Sequence, residues 1–280
     1  MTSSASVLSV REVKAGYVDE NVLHGVSVEV RRGEVVAVIG PNGSGKSTLL
    51  KTIYGLLRPR AGSVVFTDRH GRTHDLVGRR PYAITRLGIN FVPQLANVFP
   101  DMSVRENLEV GAFVHGGRFA DRLASVLETF PRLSSMLTKR AATLSGGQRQ
   151  MLGIARAMIS DPELLVLDEP SAGLAPQVVD EVFSTVKRIN ARGVSILMVE
   201  QKARQCLAMS DRGYVLDMGQ NRMHGTGNQL LEDREVIDLY LGSRGRLGVA
   251  ALRLREQRQP AHSLGADASH GPLKGERPGR

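Results

Sequence analysis

The chain has 280 residues, with 41% apolar and only 4% aromatic side chains, enough for one large α/β domain carrying an extra lobe. Its formal net charge is +9, but residues 243–280 hold eight Lys/Arg against three Asp/Glu and no aromatic ring, so the charge is only a weak signal for a nucleic-acid-binding surface. No apolar run approaches the ~20 residues of a membrane-spanning helix, no basic-then-apolar leader opens the sequence, and the single Cys206 has no internal disulfide partner, as suits a reducing cytosol.

The predicted elements begin with two β-rich runs, "SVLSVREV" and "VSVEVRRG", followed by "EVVAVIG". This last run is almost continuously apolar and leads through glycines into a helix, the pattern of a strand buried on both faces. Further strands are predicted at "GSVVFTD" and "GINFVPQ". From about Asp101 to Ser160 the pattern turns wholly helical, including "VRENLEVGAFV" and "RFADRLASVLETF". Strands return at "ELLVLDEP", "VSILMVEQ" and "RGYVLDMG". Between the first two of these lies "VDEVFSTVKRINARG", whose Val182, Val186 and Ile189 share one helical face. Strands alternating with helices predict an α/β fold with a mostly parallel sheet covered on both sides. The basic, Gly/Pro/Ser-rich residues 243–280 read as disordered, although "LGVAALRLREQR" has the makings of a short basic helix against anionic lipid.

"GPNGSGKST" at 40–48 fits the pattern GxxxxGK(S/T) directly after a predicted strand. Backbone N–H groups of Gly40, Asn42, Gly43, Ser44, Gly45 and Thr48 and their neighbours would cradle phosphate oxygens at a helix N-terminus, with Pro41, which lacks an N–H, shaping the turn. Lys46 would reach the β- and γ-phosphates, and Ser47 would ligate Mg²⁺. In "LLVLDEP" four apolar residues carry Asp168 to the C-terminal end of a strand, where it would complete the Mg²⁺ shell. Glu169 would act as general base on the attacking water. A glycine-rich turn that binds nothing, and an acidic pair that merely caps a strand, are the plain alternatives.

"TLSGGQRQ" at 143–150 places two glycines at the start of a helical pattern, although glycine costs a helix about 1 kcal/mol relative to alanine. An anion site awaiting a ligand explains the pair; a flexible joint would need neither Ser145 before it nor Gln148 after it.

In this order Tyr17, the 40–48 cradle, "VPQ" with Gln94, "LSGGQ" at 144–148 and "LLVLDE" resemble the ATP-binding subunits of ABC transporters over residues 6–242. The resemblance implies a P-loop NTPase (RecA-like) core with a mostly parallel sheet, an antiparallel β subdomain and a helical subdomain inserted at about 101–160, all within 1–242. It implies ATP and Mg²⁺ as ligands, Tyr17 stacked on adenine, and Gln94 near Mg²⁺ or the attacking water. In that family two ATPase subunits meet head to tail, so Ser145, Gly146, Gly147 and Gln148 would close over the γ-phosphate held by the partner. Two departures stand out: Gln201 replaces the usual His that bonds the γ-phosphate, and Ala175 replaces an Asp at the subunit junction. An amide can still donate to phosphate but cannot become cationic.

"GLAP" and "VEQ" are similar to the Liv-type importers of branched-chain amino acids, with urea and short-amide importers sharing the pattern. The implied assembly has a second ATPase subunit, identical or not, two transmembrane permease subunits and a solute-binding protein, with this chain peripheral on the cytoplasmic face of the membrane. Gln201 and Ala175 also fit a weakly hydrolysing regulatory module. The basic charge fits a nucleic-acid-associated ATPase, although the chain lacks the long coiled coils or paired cassettes of such relatives.

Overall fold

A computed structural model describes residues 5–18, 20–95, 97–114 and 119–241; the basic segment 243–280 lies outside the described residues. Four strands form an antiparallel sheet in the order β2-β1-β4-β5, with β1 Ser6–Tyr17, β2 Glu20–Arg31, β4 Ala61–Thr67 and β5 Thr73–Asp75. Six strands form the central sheet in the order β10-β9-β3-β8-β7-β6, with β3 Val35–Ile39, β6 Ile89–Val92, β7 Leu164–Asp168, β8 Ser195–Glu200, β9 Arg212–Asp217 and β10 Gln220–Thr226. All its neighbours run parallel except the β9–β10 hairpin, the architecture that the alternating runs predict.

Every residue of β3, β7 and β8 is buried, because side chains alternate between two covered faces. Val36, Val38, Leu164, Val166, Leu197 and Val199 pack with the antiparallel sheet and with α1 (Lys46–Ile53). Val35, Ala37, Ile39, Leu165, Leu167, Ile196 and Met198 pack into a second core. That core receives α3 (Val104–Ala112), α4 (Phe119–Thr129), α5 (Pro131–Ser134), α6 (Gly146–Met158), α7 (Pro176–Ala191) and α8 (Ala203–Met209). Each Leu, Ile or Val so buried contributes roughly 1.5–3 kcal/mol. The face of α7 read from periodicity is the buried one, since Val182, Val186 and Ile189 are all 0% exposed. The short α2 (Pro81–Arg86) and α9 (Gly227–Glu232), a single turn α10 (Arg234–Val236) and a final π turn over Ile237–Leu241 complete the described elements.

Two strands escaped the pattern reading. β10, "QNRMHGT", has no buried residue. A two-residue turn holds it to β9, with Met218 and Gly219 both at positive φ (45° and 72°), the backbone that right-twisted hairpins prefer. Asn221 also bridges it to β2, accepting from Ser27 N at 2.8 Å and donating to Ser27 O at 3.0 Å. β5 is equally polar, and its hairpin closes around Asp68, whose carboxylate accepts from the N–H groups of His70 (2.9 Å) and Arg72 (3.0 Å).

Candidate nucleotide site

The loop between β3 and α1 follows the sequence expectation closely. Gly40 leaves β3 where a Cβ would lie 2.0 Å from Leu216 O, so no larger residue fits. Gly43 adopts φ 83°, a conformation that costs an L side chain about 1–2 kcal/mol. Helix α1 starts at Gly45 with no side-chain cap and no acid in its first turn. Its leading N–H groups and its positive dipole end therefore face the loop. Ser44 Oγ is buried there without a hydrogen-bond partner, a polar atom suited to a phosphate oxygen. Pro41, Asn42 and Thr48 complete the loop, and Asn42 and Thr48 line the cleft beside it.

Lys46, only 5% exposed, folds its ammonium over this loop and donates to the carbonyls of Gly40 and Pro41, both at 2.9 Å. Burial pushes its pKa down, and Glu169, Asp168 and Glu200 partly restore it. Ser47 Oγ donates to Asp168 Oδ1 at 2.9 Å, uniting across 121 residues the hydroxyl and carboxylate expected at Mg²⁺. Burial raises the Asp168 carboxyl, opposed by Ser47, Lys51 and Lys46. Two hard oxygens fit a cation that takes its remaining ligands from phosphate and water. Among the described residues no cluster of three or more His, Cys, Asp or Glu offers an all-protein metal cage.

Glu169 and Gln94 meet, the Gln94 amide donating to Glu169 Oε2 at 3.0 Å. Both line the cleft of about 390 Å³ with Gly43, Gly45, Lys46, Ser47 and Gln201, so Gln201 stands where the missing His was expected. Tyr17 lies apart. Its ring is 48% exposed, its hydroxyl is 3.5 Å from Lys51 Nζ, and it is not among the residues lining the cleft. Val22 lines the cleft instead; as an ordinary strand residue it carried no signal.

The signature stretch has a local explanation beside the expected one. Ser145 Oγ accepts from Gln148 N at 3.3 Å, and Gln148 Oε1 accepts from Ser145 N at 2.9 Å. The two form a reciprocal capping box at the start of α6, so both have a purely local reason to be there. Gly147 has one too: its Cβ would lie 2.4 Å from Val178 Cγ1 on α7. Only Gly146 is left with room inside the chain, its Cβ meeting nothing nearer than Leu174 at 3.6 Å. Ser145, Gly147 and Gln148 open onto a separate hollow with Met151, Gln177 and Val178. One chain therefore does not bring signature and cradle into the same cavity.

A buried charge also went unread. Glu200, 1% exposed, ends β8 beside the cleft residue Gln201. Burial raises its carboxyl, against hydrogen bonds from Ser171. An acid within the apolar run "SILMVE" was the available signal.

Comparison with known proteins follows this geometry. The ABC transporter family model matches residues 23–172. The chain is 43% identical over 237 residues to the high-affinity branched-chain amino acid transport ATP-binding protein BraG of Pseudomonas aeruginosa, covering 84% of this chain and 100% of that one. It is 37% identical over 233 residues to the probable branched-chain amino acid transport ATP-binding protein LivF of Archaeoglobus fulgidus, covering 82% and 97%. The ADP conformation of MJ1267, an ATP-binding cassette of an ABC transporter, superposes with a TM-score of 0.75 at 30% identity, covering 85% and 100%.

Proposed function

This chain belongs to the ABC transporter family and is an ATP-binding, ATP-hydrolysing subunit, and from that premise we propose that it energises uptake of branched-chain amino acids. One observation carries the catalytic half of the reading: Ser47 with Asp168, and Gln94 with Glu169, converge on the cleft above an uncapped helix start. The cargo rests on BraG and LivF, both named for branched-chain amino acids; neither points to urea or short amides. Uptake of labelled leucine by a strain lacking this gene tests it, and undiminished uptake would refute the cargo.

In the proposed cycle the cradle binds the phosphates of ATP, and Ser47, Asp168 and Gln94 would hold Mg²⁺, which would supply screening of the phosphate charge. Glu169 takes a proton from the attacking water, and Gln201 offers its amide to a phosphate oxygen. Ser145, Gly146 and Gly147 cover the nucleotide held by a second ATPase subunit. The separate hollow occupied by the signature residues supports such a shared site. Subunits of this family work as dimers with membrane permeases, and that assembly is the ground for a peripheral place on the cytoplasmic face; among the described residues no helix is long and apolar enough to cross a membrane. Tyr17, exposed at the end of β1 and outside the residues that line the cleft, is assigned to the adenine by its match to the family's motif.

Gly146 and Gly147 separate folding from closure. Gly147→Ala drives a methyl into Val178 and is expected to cost about 1–2 kcal/mol, since overpacking outweighs the gain in helix propensity; Val178→Ala should restore the melting temperature. Gly146→Ala should melt no lower than the parent, yet hydrolysis by the assembled dimer should fall at least about tenfold, because the methyl holds the backbone amides off the phosphate. Full activity in Gly146→Ala would remove that residue from the shared site.

The permease surface is proposed around the segment after Gln94, where Leu95 (77% exposed) and Phe113 (89% exposed) stand with Phe99, Met102 and Val110. Exposed apolar groups so grouped suit a protein interface. Phe113→Glu should lower co-purification with the permeases by about tenfold, the loss of one well-packed aromatic anchor, while ATP still binds.

A further inference from the structure

We propose that Glu200 is a positioning residue for hydrolysis, its buried carboxylate stapling the turn that carries Glu169 to the end of β8. The inference rests on the reading of Glu169 as general base and extends it to a residue outside the nucleotide cleft.

Glu169 leaves β7 in a left-handed conformation, φ 45°, which an L side chain adopts only when its surroundings impose it. Two main-chain bonds shape the turn: Glu169 N donates to Val199 O and Ala172 N donates to Glu169 O, both at 3.0 Å. The remaining grip is on Ser171, which is fully buried. Its N–H donates to Glu200 Oε1 at 2.8 Å and its hydroxyl to Glu200 Oε2 at 2.9 Å. Its carbonyl accepts from Lys202 Nζ at 3.3 Å. All three polar groups of Ser171 are thus held by residues 200–202.

The carboxylate also accepts from the N–H of Gln201 at 3.2 Å. Three donors therefore converge on one side chain, while among the described residues no ion pair neutralises it. A buried charge without a counter-ion is unfavourable unless hydrogen bonds replace its water. Here they do, and they come from the two loops that present Glu169 and Gln201 to the cleft. An amide cannot substitute, because its NH₂ would face donors and its single oxygen cannot serve all three. The staple thus fixes where the base stands with no hydrogen bond or ion pair to the phosphate loop or Lys46, whose charge Glu200 supports only from beyond contact distance.

The test uses the full-length chain reconstituted with its partner ATPase, measuring steady-state hydrolysis and the binding of a fluorescent ATP analogue. Glu200→Gln should lower kcat about 10–100-fold with Kd changed less than about threefold, and Ser171→Ala should lower kcat several-fold with the same constancy of Kd. The double variant should be no slower than Glu200→Gln alone, because the hydroxyl bond that Ser171→Ala removes is one of those that Glu200→Gln already disrupts. The staple is overturned if both single variants keep kcat within about twofold of the parent, if their losses multiply, or if affinity falls in step with kcat. Should Glu200→Gln not fold, Ser171→Ala decides by the same split of kcat from Kd. Glu169→Gln runs alongside: if that variant hydrolyses normally the base assignment fails, whereas an inactive Glu169→Gln beside fully active Glu200→Gln and Ser171→Ala sinks the staple alone.

Discussion

Glu169→Gln is expected to lower turnover about 10²–10⁴-fold, the usual contribution of a general base, with ATP bound at least as tightly as by the parent. The side chain sits beside Gln94 at 3.0 Å and lines the same cleft as Lys46 and Ser47. Gln is nearly isosteric, so the turn at φ 45° has no reason to move. What is lost is the proton acceptor. What is also lost is one negative charge near the triphosphate, and its removal weakens repulsion rather than attraction. Phosphate release measured in a single turnover, against binding of a fluorescent ATP analogue, separates the two effects. Undiminished hydrolysis would transfer the role to another group and leave Glu169 as a structural acid.

Lys46→Ala should weaken nucleotide binding by about 10–100-fold, since hydrogen bonds involving a charged group contribute about 1.5–3 kcal/mol. The ammonium is buried over the loop and bonded only to the carbonyls of Gly40 and Pro41, so it is already aimed across the cradle. Its truncation also strands those carbonyls, and a small loss of thermal stability should accompany the loss of affinity. The affinity loss is measured by titration at a temperature where the variant is folded, and unchanged affinity would disprove the cradle assignment. The two variants should diverge: one retains ATP without hydrolysing it, the other fails to retain it.

Much of this was readable before any coordinates. The phosphate loop is local chemistry: its glycines, lysine and hydroxyl are consecutive, so the residues that match the motif are the ones folded into the loop between β3 and α1. The sheet was readable because "VVAVI", "LLVLD" and "SILMVE" are buried on both faces and announce it by continuous apolarity. β5 and β10 announced nothing, because neither contributes an apolar row to a core; hairpin geometry and side-chain bridges such as Asn221 to Ser27 hold them. Ser145 and Gln148 carry a second, local meaning that the sequence reading passed over. Their S-x-x-Q spacing is a capping box, a local signal overshadowed by the ligand that the glycines suggested.

The sequence by itself determined the family, the phosphate loop and the strand-borne acids, because those depend on residue type and short-range spacing along one chain. Tertiary structure alone decided that Ser47 meets Asp168 and that Gln94 meets Glu169. It decided as well that Gly147 answers to Val178 while Gly146 does not, and that Glu200 holds Ser171. Each of these joins segments far apart in the chain through a few ångströms of packed space. Hydrogen bonds and van der Waals contacts have no range beyond that space, so only the folded arrangement of β7, β8, α6 and α7 could say which distant side chains fall within it.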